Sequence, residues 1–217
     1  MKIYTFYTPS HKEIYDKYFL TSPAIEEYEV ISEEFPQECL SGNYLSEGWM
    51  DTMHRKLDLI IKAIEDNMGE VFVHADCDVQ FLKPSKEYIE SIFHNTNVDI
   101  VLQDDIYTMC AGFFACRSSA KTLLLFNMVK DNIRSFEHDQ LALNHFIKNW
   151  NSYNRIEKLN YRVFDKRIWN VGHSIYNRWD GQEFKVPENI LVHHANWTVG
   201  TQNKLKLMGI VKGMVIS

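Results

Sequence analysis

The chain has 217 residues, 45% of them hydrophobic and 24% charged, which is enough for one substantial core and excludes a disordered, collagen-like or low-complexity scaffold. Lys plus Arg number 23 against 29 Asp plus Glu, a net charge of −6, so the basic footprint of a nucleic-acid binder is missing. No signal-peptide pattern and no run of about 18 apolar residues occurs, and Cys39, Cys77, Cys110 and Cys116 show no CxxC spacing. The expectation is a soluble, cytoplasmic monomer with free buried thiols. Aromatic residues, 13% of the chain, are a supply suited to stacking on bases and sugar rings.

In chain order, the β-branched and aromatic run Lys2–Thr8 predicts a strand ended by Pro9. Ser10 and Glu13 have capping-box spacing and predict a helix to Phe19. Tyr28–Ser32 predicts a second strand. Behind Ser46, the spacing of Met53, Leu57, Ile60, Ile61 and Ile64 predicts an amphipathic helix ending near Asn67–Gly69. Val71–Ala75 predicts a strand, and Pro84 and Ser85 open another helix. Strands are predicted at Val98–Gln103 and Met109–Cys116, and helices at Ser118–Lys130 and His138–Trp150. Short strand candidates lie at Arg155–Leu159 and Tyr161–Phe164, then a strand at Ile190–His194 and a helix at Asn203–Gly209. Strands alternating with helices argue for βαβ units and an α/β fold with a mainly parallel sheet. In such folds ligands lie beyond the C-terminal ends of the strands.

Three segments after strands carry chemistry. In the first, an apolar strand runs into Asp76-Cys77-Asp78 and returns to an apolar run. Carboxylates two apart beyond a strand end can converge on one hard divalent cation, Mg²⁺ or Mn²⁺, that clamps a diphosphate. In the second, a strand delivers His193 and His194, followed by Asn196, Gly200 and Lys204. Imidazole suits Mn²⁺, strand alternation lets one of the two histidines face the site, and a helix start with a lysine suits phosphate. In the third, Cys110-Ala111-Gly112-Phe113-Phe114 leaves space above a strand, and Asp139 and Gln140 offer hydroxyl partners at a helix start. Asp139 also reads as a first-turn acid favoured by the helix dipole, and His138 and His145 read as solvated.

Taken in order, HADCDVQF, CAGFFACR, HDQLALN and HHANWTVGTQNK resemble the motif set of small GT-A glycosyltransferases, over positions 74–204. The resemblance implies a single GT-A, Rossmann-like domain over 1–217, a mainly parallel mixed sheet flanked by helices. Its nucleotide-binding part would cover roughly 1–105 and its donor-sugar and acceptor part roughly 106–217. It implies that Asp76 and Asp78 hold the metal and donor ribose, that His194 is the further ligand, and that Gly200 and Lys204 touch phosphate. Thr5, Tyr7 and Thr8 would border the base and ribose, with Tyr7 stacking. Arg55 and Lys56 would bring positive charge toward the diphosphate unless they lie on a solvated helix face. Gly112 and Asn196 would line the donor site, and Asp139 and Gln140 would be catalytic, with Asp104 and Asp105 the next carboxylates to consider. The implied reaction is Mn²⁺- or Mg²⁺-dependent hexosyl transfer from a UDP-sugar to a hydroxyl of a glycan or glycoprotein. Size and the missing anchor further resemble the virus-encoded cytosolic glycosyltransferases of large algal DNA viruses, implying capsid-protein glycosylation in the host cytoplasm. Two rivals remain. A sugar-nucleotide nucleotidyltransferase needs a Gly-rich N-terminal loop that TFYTPSHK lacks, and an inactive sugar-binding module would not need Asp76, Asp78 and a histidine.

Overall fold

The computed structural model describes residues 1–216. Its strands are β1 (Lys2–Tyr7), β2 (Glu29–Glu34), β3 (Val71–Ala75), β4 (Val79–Phe81), β5 (Ile100–Asp104), β6 (Met109–Arg117), β7 (Tyr161–Val163), β8 (Ile168–Trp169) and β9 (Val192–His194). The α-helices are α1 (Lys12–Ile14), α2 (Trp49–Asp66), α3 (Lys86–Phe93), α4 (Ala120–Asn132), α5 (Asp139–Lys148), α6 (Trp150–Tyr153), α7 (Gly172–Ile175) and α8 (Thr201–Ile216). The large sheet has six strands in the order β2-β1-β3-β6-β5-β7, and a smaller sheet has three in the order β4-β9-β8. The large sheet is mixed: β2, β1 and β3 run parallel, β6 is antiparallel to both its neighbours, and β7 is parallel to β5.

Alternation along each strand separates two cores. In β3, Phe72 joins the layer beneath α2, α4 and α5, with Ile60, Ile64, Phe126 and Phe146, while Val73 and Ala75 join the opposite layer with Phe19, Phe81 and Ile89. A third cluster, including Trp169, Val171 and Met208, packs α8 against the small sheet. Between β5 and β6 the register jumps, Leu102 facing Phe114 while Gln103 faces Cys110. The bulge lets Ala111 and Phe113 enter opposite layers although they are two apart, and it leaves Gly112 at the strand's turning point.

Several boundaries differ from expectation for physical reasons. The helix after Pro9 is three short pieces, Pro9–His11, Lys12–Ile14 and Tyr15–Phe19, without the expected capping box. Glu13 pairs with Lys17, and the Ser10 hydroxyl meets the His11 ring at 3.0 Å. A capping box does form at α4, where Ser119 and Thr122 exchange side-chain to backbone bonds. No strand forms over Arg155–Leu159: the Asn154 side chain takes the Ile156 and Glu157 amides, and Ile156 is 94% exposed. The helix expected to reach Trp150 ends at Lys148, Trp150 instead opening α6, and the last helix extends to Ile216. The apolar return after Asp78 is a strand, β4, and β8 has no counterpart among the predicted elements. All four cysteines are free and buried, as expected.

Candidate active site

β3 ends at Ala75 and β4 begins at Val79, so Asp76 and Asp78 occupy the connection between the two sheets. β4 pairs with β9 so that Val79 faces His194, and the Ala195 amide donates to the Asp78 carbonyl at 3.0 Å. This ladder sets His194 Nε2 3.2 Å from Asp78 Oδ1. One ligand atom from each of Asp76, Asp78 and His194 falls within 4.8 Å of the others. His193 points the opposite way, bonded to Gln80 Oε1 at 2.8 Å with its ring 5.4 Å from that of Trp169. Alternation therefore selects His194.

The donor set fits a divalent cation. His194 Nδ1 lies 2.7 Å from Gln103 Oε1, so a proton on Nδ1 has an acceptor there. Nε2, the nitrogen that faces the two carboxylates, is the atom a neutral imidazole would offer a cation. Gly112 forms the wall behind them. A Cβ there would stand 2.5 Å from Asp76 Oδ2 and 2.6 Å from His194 Cε1, so no larger residue fits while these side chains keep their places.

Around this centre the charges are buried and paired. Lys56 is 2% exposed, and its ammonium contacts Asp76 at 3.0 Å and Asp139 at 3.3 Å. It is not on a solvated helix face; Arg55 is, paired with Glu38. Burial opposes the charge on Lys56, but Asp76 and Asp139 outweigh it and raise its pKa. Burial likewise opposes ionisation of Asp76, yet Lys56 and His74 hold it at about 2. Against the same opposition, Lys204 and His194 keep Asp78 well below the usual carboxylate range. Lys204, the residue expected on phosphate, has its ammonium on Asp78 Oδ2. Without a cation, burial works against charge on His194, but Asp78 and Cys110 carry its pKa up to about 10.

These groups floor a cavity of about 330 Å³. Tyr7, Thr8, Lys56, Gly112, Asp139, Gln140, Asn196, Gly200 and Lys204 line it with Asp76, Asp78 and His194. Thr5 does not: it is fully buried in β1 beneath the cavity. Tyr7 is already stacked on Tyr15 at 4.3 Å. Gly200 adopts φ +84 and its carbonyl accepts the Lys204 amide, so a glycine starts α8 at the cavity wall. Asp139, the first residue of α5, is both a first-turn acid and part of the buried charge cluster. Gln140 is pinned, its Oε1 accepting from the Ala111 amide at 3.2 Å and its Nε2 donating to Asp105 and Thr108 at 2.8 Å. His138 and His145, read as solvated, are half-buried and engaged. His138 packs edge-on with Tyr44, and His145 bonds Tyr153 at 2.9 Å.

Three contributors escaped the sequence. Asp105, in the sequence only a reserve base, accepts from Gln140, Asn196 and Trp197 and so ties three segments together. His11 lines the cavity beside Thr8, with burial and Lys204 lowering its pKa to about 4. His74 lies 3.3 Å from Asp76. The usable signal was position: His11 comes just after β1, His74 lies two before Asp76, and Asp105 comes just after β5.

The sequence profile of nucleotide-diphospho-sugar transferases matches residues 29–208. No curated protein sequence matches the chain significantly. Among solved structures, the chain is similar to a glycosyltransferase involved in the glycosylation of the major capsid of PBCV-1. The TM-score is 0.63 at 16% identity, covering 96% of this chain and 98% of that one. It is also similar to the glycosyltransferase GlyE of Streptococcus pneumoniae TIGR4, with a TM-score of 0.54 at 10% identity, covering 98% of this chain and 63% of that one. At these identities the structural likeness establishes the fold.

Proposed function

The chain belongs to the nucleotide-diphospho-sugar transferase family and is an enzyme of the glycosyltransferase type, and from that premise we propose a metal-dependent transfer from a UDP-sugar to a glycan or glycoprotein hydroxyl. The observation that carries this reading is the convergence of Asp76, Asp78 and His194 on one point beside buried Lys56. These residues would hold Mn²⁺ or Mg²⁺, and such an ion, when bound, neutralises charge on a leaving diphosphate. The protein's own contributions come from its geometry. Lys56 fixes Asp76 and Asp139 in one ion-paired row, so the metal-side and sugar-side carboxylates are positioned together. The opening of α8 presents Gly200 and Lys204 to phosphate oxygens, which would compete with Asp78 for the ammonium. Asn196 Oδ1 is buried without a partner and can accept from a donor hydroxyl. Asp139 borders the sugar as the base or as the polar group beside the reacting carbon. Gln140, with its amide engaged on both sides, holds the strand and helix around it.

A capsid glycoprotein, the target named for the PBCV-1 neighbour, is the first acceptor to try. Calorimetry of UDP binding with and without Mn²⁺ tests the donor reading. Binding that requires Mn²⁺ and disappears in Asp78→Ala, with unchanged circular dichroism, is expected. Wild-type UDP affinity in Asp78→Ala would remove the metal assignment.

A further inference from the structure

Above the charged floor, the cavity's mouth carries an aromatic step that the donor machinery does not use. Between β5 and β6 the chain turns through Asp104–Thr108, and Ile106 sits at φ +69. A β-branched residue holds that left-handed conformation only where its surroundings impose it. Here the Asp104 side chain accepts the Ile106 amide at 3.0 Å, and the Asp105 amide donates to the Thr108 carbonyl at 3.0 Å. Asn170 holds the Asp104 carbonyl at 3.3 Å, and three side chains clamp the Asp105 carboxylate. The strained turn aims Asp105 inward and Tyr107 outward.

Tyr107 is 74% exposed, and its ring centroid lies 6.3 Å from that of Trp197. Trp197 is fixed by its indole N–H, which donates to Asp105 at 2.7 Å, and by its ring, packed so closely on Gly172 that no Cβ fits there. Trp197 lines the cavity, and Tyr107 extends that aromatic surface beyond the lining. The other rings at the mouth are engaged: Tyr44 has the Arg178 guanidinium 5.6 Å from its centroid and Trp49 and His138 against it. Tyr107 is the ring left open. A rigid ring with a polar tip, exposed beside a charged pocket, matches the C–H face and flanking hydroxyls of a pyranose.

We propose that Tyr107, backed by Trp197, is the platform on which the acceptor sugar stacks, presented by the strained Asp104–Thr108 turn. This rests on the glycosyltransferase reading and adds to it a residue that selects a pyranoside acceptor. The test is saturation-transfer NMR with methyl glucopyranoside, galactopyranoside, mannopyranoside and fucopyranoside as probes, run on the full chain with Mn²⁺ and UDP and again without nucleotide. Wild-type protein should bind at least one glycoside through its C–H face. Tyr107→Ala should weaken that binding about tenfold, while Tyr107→Phe retains most of it. UDP affinity and melting temperature should be unchanged in both variants. Absence of any glycoside signal on the wild type, undiminished glycoside binding by Tyr107→Ala, or a loss that falls on UDP instead would each overturn the platform. Failure of UDP to bind the wild type would overturn the donor reading alone, because the glycoside titration without nucleotide reads Tyr107 independently.

Discussion

Adjacent histidines in one strand receive opposite fates because a strand has two faces. His194 reaches Asp78 and the cavity, whereas His193 is buried against Trp169 and Gln80. His194→Ala should therefore abolish Mn²⁺-dependent turnover with a modest change in melting temperature. His193→Ala should retain turnover and lose roughly 1–3 kcal/mol of stability, since the buried Gln80 Oε1 is left without a partner while its Nε2 still donates to the Met208 carbonyl. A reversed ranking in paired activity and melting measurements would exchange the two roles. Asp139 calls for a different comparison, because it is anchored by Lys56 as well as bordering the cavity. Asp139→Asn keeps the shape and removes the charge. If Asp139 acts as the base, kcat should fall about 10²-fold or more with UDP affinity little changed. Transfer within a few-fold of wild type would leave Asp139 as a helix-start acid that anchors Lys56.

At the scale of elements, the bulge between β5 and β6 matters most, since it brings Gly112 against both Asp76 and His194. Gly112→Ala inserts one methyl group where the Asp76 and His194 side chains already stand. It should remove Mn²⁺-dependent UDP binding and leave circular dichroism near wild type. Gly69→Ala is a control on backbone strain, because its φ is +90 and a Cβ there meets nothing; that variant should lose stability but keep UDP binding. Unaltered UDP affinity in Gly112→Ala would show that the cradle yields. Legibility in the sequence obeyed the same physics. β3 matched its expected bounds because a run of Val, Phe, Val and Ala, interrupted only by His74, is flanked by a turn and by Asp76. β8, with two residues, is too short to display alternation, and β4 showed only as the apolar return after Asp78. The Asp76, Asp78 and His194 set was readable because polar ligand types stand at or just past the ends of apolar strands. The roles of Lys56 and Asp105 were not, because a helix's burial and a turn's cross-links depend on partners far along the chain.

For the whole molecule, the buried His193 and His194 and the half-buried His11 predict a stability profile in chelator with two limbs. His193 has its pKa pushed by burial down to about 3, and His11 down to about 4. An unfolded chain protonates both near pH 6.5, so below that pH the unfolded state binds protons that the native state refuses. Stability should thus fall as pH drops from about 6.5 toward 4, by up to about 1.4 kcal/mol per pH unit for each group. His194 acts in the other direction. Its metal-free pKa of about 10 makes its contribution complete below pH about 6.5 and progressively lost as pH rises toward 10. A maximum near pH 6.5 is expected, and single substitutions should separate the limbs. His193→Gln removes one titrating group from the acid limb and should flatten it, while His194→Gln should flatten the alkaline limb. Adding Mn²⁺ should raise the alkaline side most, because the ion needs the neutral imidazole and binds more tightly as protons leave. Melting temperatures from pH 4 to 10 for the wild type and both variants, in chelator and in Mn²⁺, check each limb. An acid limb of undiminished slope in His193→Gln would place the acid sensitivity elsewhere in the molecule.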